Sequence, residues 1–241
     1  VKVLTWNVLH RTHAETHQEP ACSRWPNERE RIDESVTLLR EAMTECRVAL
    51  LQEVSGDLLA ALRKAMPERA IIEHAYPRVP RQRVPSESLT NLTEYLVVIA
   101  PVGSIPVRAH TYENDHGKGY LLAWTPGGTL VLSTHVTWGE KRELQLATLA
   151  RLMRQSPAPL VLGGDFNASR AIVADALGAG AAIGEPARGS PPTRPYGDPA
   201  GAGDIDHLIA RGGVLRDVTV LENRELSDHR PVMATFSAIA S

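Results

Sequence analysis

Near the last third of the chain, LVLGGDFNAS at residues 160–169 sets a carboxylate and an amide two positions apart, Asp165 and Asn167. Side chains two apart on an extended chain share a face. Both therefore leave a strand end together, where ligands collect in layered α/β folds. Gly163 and Gly164 carry no side chains just before Asp165, and the large apolar Phe166 should turn inward and anchor the turn. Taken alone, the motif also reads as a turn that caps a strand. Other strand-like runs carry the same kind of ending, at Asn7, Glu53, His135, Asp206, Asp228 and His229. Each is an ordinary cap residue by itself; together they exceed what turns require. Carboxylates with an amide oxygen suit a hard cation, Mg²⁺ with Mn²⁺ as the alternative, which prefers oxygen and keeps several waters. A cysteine cluster and an HExxH pair are both missing, which argues against a structural or protease-type zinc site.

Strands and helices must bring these residues together. Alternation and apolar runs predict strands over 1–8, 48–54, 94–100, 107–112, 120–125, 129–135, 204–210, 214–221 and 232–237, besides one ending at 160–162. Helices are predicted over 27–46, 55–66, 140–155 and 172–177. The first opens on Asn27 with Glu30 three residues on, a capping box, and shows Ile32, Val36, Leu39 and Met43 as a stripe with the charges on the other face. Residues 9–27 carry His10, His13 and His17; Pro20 and the missing apolar period predict an irregular loop beside the pocket. His13 and His17 have the spacing of a helical metal pair, which an irregular loop would not hold. A long loop over 76–93 holds Arg78, Arg81 and Arg83, either as a solvated loop or as a local phosphate clamp, and Lys118 sits between two glycines. Residues 178–203 are rich in Gly and Pro. They read as a loop rather than a linker, because the polar strand ends after them complete the set before them, so residues 1–241 form one expected domain.

The balance of 26 Lys and Arg against 28 Asp and Glu gives a net charge of −2, so contact with a polyanion must be local rather than global. Aromatics are 5%, too few for broad base-stacking platforms. Cys22 and Cys46 fit neither a disulfide framework nor a thiolate metal site. No apolar run approaches the roughly 18 residues of a membrane span. A cytoplasmic monomer is the expectation, with a removed leader left open because the chain starts at Val1.

In order, TWNV, LLQEV, STH, GDFNA, DIDHL and SDHRPV run from Thr5 to Val232. This series resembles the endonuclease/exonuclease/phosphatase family, metal-dependent phosphoesterases that include pancreatic-type deoxyribonuclease. The resemblance implies a four-layer α/β sandwich, two mostly antiparallel sheets packed face to face with helices outside. A Rossmann fold fits worse, since GxGxxG is absent and strands often follow one another directly. Carried over, the resemblance makes Glu53 the principal metal ligand with Asn7 close by and Asp228 near the metal. Asp165 and Asn167 would orient the attacking water and hold the phosphate. Asp206 would orient His229, which contacts the phosphate. His135 matches the second histidine of the deoxyribonuclease-like branch, and Glu94 matches the glutamate that orients it. Lys118 falls roughly where a phosphate-binding basic residue stands, and Arg81 and Arg83, from the arginine loop rather than from the resemblance, are expected to bind substrate with it. The abasic-site nucleases have a tyrosine and an asparagine where this chain has Thr134 to Trp138, which lowers that assignment.

The implied function is Mg²⁺-dependent hydrolysis of a phosphoester, expected to be a diester in DNA, RNA or a nucleotide-like molecule. A phosphoinositide or sphingolipid-headgroup phosphoesterase is the alternative. A binding module that kept the fold without activity is the alternative of another class, disfavoured because every expected catalytic position is filled.

Overall fold

The computed structural model describes residues 1–82, 89–195 and 203–239. The chain opens with β1 (Lys2–Asn7), then α1 (Arg11–His17), α2 (Pro20–Arg24) and α3 (Glu28–Glu45). Next come β2 (Val48–Ser55), α4 (Gly56–Ala65), β3 (Arg69–Ala75), β4 (Glu94–Pro101), β5 (Ile105–Thr111), β6 (Gly119–Trp124) and β7 (Leu130–His135). After α5 (Lys141–Arg154) follow β8 (Leu160–Asp165), α6 (Arg170–Leu177), β9 (Ala182–Ile183), β10 (Asp206–Arg211), β11 (Gly213–Val220) and β12 (Val232–Ala238).

Two six-stranded sheets result, ordered β11-β12-β1-β2-β4-β3 and β5-β6-β7-β8-β10-β9. Among the described residues β1/β2 and β7/β8 run parallel and the remaining strand pairs are antiparallel. Each parallel pair is joined through helix, as a parallel crossover requires. Strand alternation then separates the core into layers. Val3, Leu50, Val98, Leu121, Val161 and Leu208 point between the sheets. Leu4, Trp6, Leu39, Leu51 and Leu62 pack under α3 and α4. Leu132, Leu149, Leu162, Val173 and Ile209 pack under α5 and α6. The predicted four-layer sandwich is the observed one.

Three local expectations are corrected. Residues 9–27 are not irregular, because α1 and α2 form there. His10 caps α1 with its ring Nδ1 accepting from Thr12 N at 3.3 Å, and Arg11 pairs with Glu15 one turn on at 2.8 Å. Leu9, Ala14 and Ala21 close a small core of their own, and Pro20 takes the first position of α2, where proline has no hydrogen bond to lose. β3, unrecognised in the sequence, pairs with β4; its mostly half-buried residues lack a clean apolar alternation. Nor do the charges of α3 all lie opposite its apolar stripe. Arg31 and Glu28 are buried, and Arg31 donates to the carbonyls of Val8, Leu9 and Leu226 and to the Glu28 carboxylate. That one guanidinium ties α3 to the two loops that leave the strand ends.

Candidate active site

One face of each central strand grades from apolar to polar along its length. On β1 it runs Val3, Thr5, Asn7; on β7, Val131, Ser133, His135; on β8, Val161, Gly163, Asp165. β10 runs the other way and begins at Asp206 before Leu208 and Ala210, and β4 begins at Glu94 before Leu96 and Val98. Register sets His135 beside Asp165 and Asp165 beside Asp206. The middle rung is already polar, since Gln52 Nε2 donates to Ser133 Oγ at 3.1 Å and to the Leu50 carbonyl at 3.0 Å. The site is thus the last rung of the inter-sheet core, at the carboxyl ends of the parallel strands.

Glu53 breaks the alternation. It follows Gln52, so a regular strand would send it to the opposite face. A shift in register between Leu51 and Val54, with Glu53 at φ 57°, turns it back into the site. A left-handed non-glycine residue costs on the order of 1–3 kcal/mol and persists only where its surroundings hold it. Here Glu53 Oε1 accepts from Asn7 Nδ2 at 3.1 Å and Oε2 accepts from His10 N at 3.0 Å. Asn7 Nδ2 also donates to Asp165 Oδ2 at 3.1 Å, while Asn7 Oδ1 accepts from Leu9 N. Asn7 is therefore a spacer between two carboxylates, with its own oxygen already engaged. Asn167, at φ 47°, gives its backbone N–H to Asp165 Oδ1 at 2.9 Å and its amide N–H to the Val136 carbonyl at 2.8 Å.

On the facing side His229 Nδ1 donates to Asp206 Oδ2 at 2.8 Å, which leaves Nε2 3.8 Å from both Asp165 Oδ2 and Asp228 Oδ2. Burial opposes a charge on this ring, but Asp206, Asp228 and Asp165 outweigh it and raise the pKa to about 10. His229 is an imidazolium at neutral pH. Burial likewise opposes ionisation of Asp165, and His229, His135 and Lys118 hold it below the ordinary carboxylate range. Trp6 Nε1 and Asn223 Nδ2 both donate to the His229 carbonyl, and Ser227 Oγ accepts from His229 N, so the loop before β12 is fixed.

His135 Nε2 lies 3.2 Å from Asp165 Oδ2 and 3.8 Å from Glu53 Oε1, with the Lys118 ammonium against its ring. The expected Glu94–His135 pair does not form. Glu94 Oε2 instead meets His13 Nε2 at 2.9 Å, because α1 carries His13 over the start of β4. Asp165 is the nearest carboxylate to His135.

A cavity of about 220 Å³ opens over this cluster. Glu53, Lys118, His135, Asp165, Asn167, Asp228 and His229 line it. Asn7 and Asp206 hold two of those lining residues, Glu53 and His229, from behind. Arg81 is exposed and does not line the cavity, and Arg83 lies outside the described residues. The arginine loop contributes Arg78, which also pairs with Asp115 at 3.4 Å. Sequence reasoning missed Glu19, Trp138 and Arg194, which line the cavity as well. Arg194 Nη2 bridges Asp228 at 3.2 Å and Glu19 at 3.5 Å; nothing in its Gly- and Pro-rich surroundings signals that role.

Among the described residues, one group of three brings its ligand atoms together. Asp165, Asp206 and His229 have ligand atoms within 4.8 Å of one another. His229 there is already protonated, so a metal at Nε2 would have to displace that proton. Glu53 is the better anchor. It is held below the ordinary carboxylate range, burial opposing and His13, His135 and Lys118 prevailing, and it lines the cavity with Asp165 and Asp228. Oxygen donors without a thiol fit a hard divalent cation.

The sequence model of the Endonuclease/Exonuclease/phosphatase family matches residues 4–229. No curated protein sequence matches the chain. Among solved structures, D. rerio TDP2 complexed with single strand DNA product aligns at TM-score 0.70 and 16% identity over 99% of each chain. An endonuclease/exonuclease/phosphatase from Bacteroides vulgatus gives the same values. A mannosyl-6-phosphatase from Bacteroides thetaiotaomicron aligns at TM-score 0.67 and 15% identity, over 98% of this chain and 99% of that one. At such identities the likeness is one of fold.

Proposed function

The chain belongs to the endonuclease/exonuclease/phosphatase family and is a hydrolase of phosphoester bonds, and from that premise we propose that it is a Mg²⁺-dependent phosphodiesterase acting on a nucleic acid or a nucleotide-like substrate. The observation that carries this reading is the pairing of an imidazolium with a shielded carboxylate across one cavity, His229 Nε2 lying 3.8 Å from Asp165 Oδ2.

Asp165 receives hydrogen bonds on both oxygens, from Asn7 Nδ2 and from Asn167 N, so its orientation is set before substrate arrives. It orients the attacking water and takes its proton as the oxygen–phosphorus bond forms. His229 donates from Nε2 to a phosphate oxygen whose negative charge grows during attack, and the ester oxygen–phosphorus bond breaks with the leaving oxygen taking a proton from water. Asp206 keeps that ring oriented and charged. Asn167, Lys118 and His135 hold the phosphate from the other wall. Glu53, with Asp165 and Asp228 lining the same cavity, would hold the cation, and Asn7 bridges Glu53 and Asp165. Bound there, Mg²⁺ or Mn²⁺ supplies Lewis acidity toward the phosphate oxygens. The single strand DNA product held by the TDP2 structure supports a nucleic-acid substrate for a chain of this fold. The mannosyl-6-phosphatase neighbour keeps a monoester as the competing outcome.

The test is turnover on a panel of single-stranded DNA and RNA, dinucleotides, lipid headgroup diesters and phosphomonoesters, each with Mg²⁺ and with excess chelator. Cleavage of nucleic-acid diesters that stops with chelator is the expected result. Preference for monoesters or lipid headgroups would overturn the substrate assignment, and full activity in chelator would overturn the metal.

A further inference from the structure

We propose that His13, held by Glu94, is a substrate-binding residue of this site, whose second ring nitrogen donates to a phosphate oxygen of the phosphoester. The proposal rests on the hydrolase reading above and adds a third histidine to it.

Glu94 is fully buried, at 0% exposure, and carries one oxygen on His13 while the other, Oε1, has no partner among the described residues. A carboxylate sealed from water and half satisfied is an expensive group to keep. Its neighbours on the same face of β4, Leu96 and Val98, are apolar, and an apolar side chain would extend that face without the cost. What the carboxylate provides is a fixed negative charge behind His13. With Nε2 engaged the ring has one orientation; burial opposes its charge, but Glu53 and Glu94 outweigh it and favour the protonated ring, in which Nδ1 is the second donor. His13 lines the same cavity as Glu53, Lys118 and His135, and its side chain is 25% exposed, against 1% for His135.

The helix that carries His13 is fastened to the site at its start. His10, the N-cap of α1, gives its backbone N–H to Glu53 Oε2, and its ring meets the His13 ring edge-on at 5.6 Å. His13 is thereby held at two points, the carboxylate below and the histidine beside it. His17, one turn further along α1, lines the cavity as well, so the first helix forms a wall of the pocket rather than a surface decoration.

The experiment uses the whole protein with Mg²⁺ and two readouts. Inorganic phosphate binding is followed by calorimetry, and steady-state kinetics use bis-(p-nitrophenyl) phosphate. His13→Gln replaces a charged donor with a neutral amide, so phosphate affinity should fall and KM rise by about tenfold while kcat stays within about threefold. Glu94→Gln should reproduce that split, Glu94→Asp should restore part of it, and the double variant should be little worse than either single one. Unchanged phosphate affinity and KM in folded His13→Gln would overturn the proposal, as would losses that add. So would a fall in kcat alone. If Glu94→Gln does not fold, His13→Gln at its partly exposed position still decides. A wild-type protein that cleaves no phosphoester overturns the hydrolase reading instead, and phosphate titration then judges His13 without turnover.

Discussion

At the scale of single residues, Asp165 is the most heavily engaged group in the site. It takes hydrogen bonds from Asn7 and Asn167 and lies within ion-pair distance of His135 and His229. Asp165→Asn keeps the shape and removes the charge, so turnover should fall at least about a hundredfold while the melting temperature holds. Near-normal turnover in the folded variant would return Asp165 to a turn-capping role. The histidine next to Asp206 makes the opposite kind of prediction. His207 is buried against the Ala168 carbonyl, and burial pulls its pKa from 6.5 to about 4. Below pH 6.5 the unfolded chain takes up a proton that the folded chain refuses, so stability falls as pH drops from 6.5 toward 4. His229 acts with the reverse sign. Its raised pKa gives stability that is complete below pH 6.5 and is lost as pH rises toward about 10. Urea midpoints measured against pH check both limbs, and His207→Gln should lessen only the acid one, part of which remains because burial also pulls the His10 pKa to about 4.

At the scale of elements, β8 depends on two adjacent glycines for different reasons. A Cβ on Gly163 would sit 2.7 Å from a Leu208 methyl and 2.8 Å from a Leu50 methyl, so it presses on the flexible ends of side chains between the sheets. A Cβ on Gly164 would sit 2.0 Å from the Thr134 carbonyl oxygen, which belongs to the backbone of β7. Side chains can give way and a paired strand cannot. Gly163→Ala should cost about 1–3 kcal/mol, and Gly164→Ala should exceed it by parting the strands that set His135 beside Asp165. Equal urea midpoints for the two variants would show that the parallel pair yields as easily as the side chains do.

At the scale of the whole molecule, the site exists only in the folded chain. Glu53, Asp165 and Asp228 reach one cavity from β2, from β8 and from the loop before β12. A cation bound there binds the native state alone. At about a hundred times its Kd it should stabilise the fold by about 2.7 kcal/mol. Thermal unfolding with and without Mg²⁺ measures that increment, and Glu53→Gln should lose it. A wild-type protein equally stable in chelator and in Mg²⁺ would remove the cation from the reading. No helix among the described residues is long and apolar enough to cross a membrane.

Most of the secondary structure and much of the site are legible in the sequence, because both rest on local pattern. A two-residue period places Asn7, His135 and Asp165 on the same face as Val3, Val131 and Val161, and the change from apolar to polar along that face marks where the core ends. Partnerships across the site are another matter, since they depend on which strand ends become neighbours. Sequence separation alone does not reveal that Glu94 faces His13 rather than His135, or that Arg194 reaches Asp228. A register shift in β2 is what turns Glu53 inward against the alternation, and Arg31, a charge, is buried on the side of α3 that also carries Ser35 and Leu38. These features are set by through-space distances in the packed sandwich, and only the tertiary structure decides them.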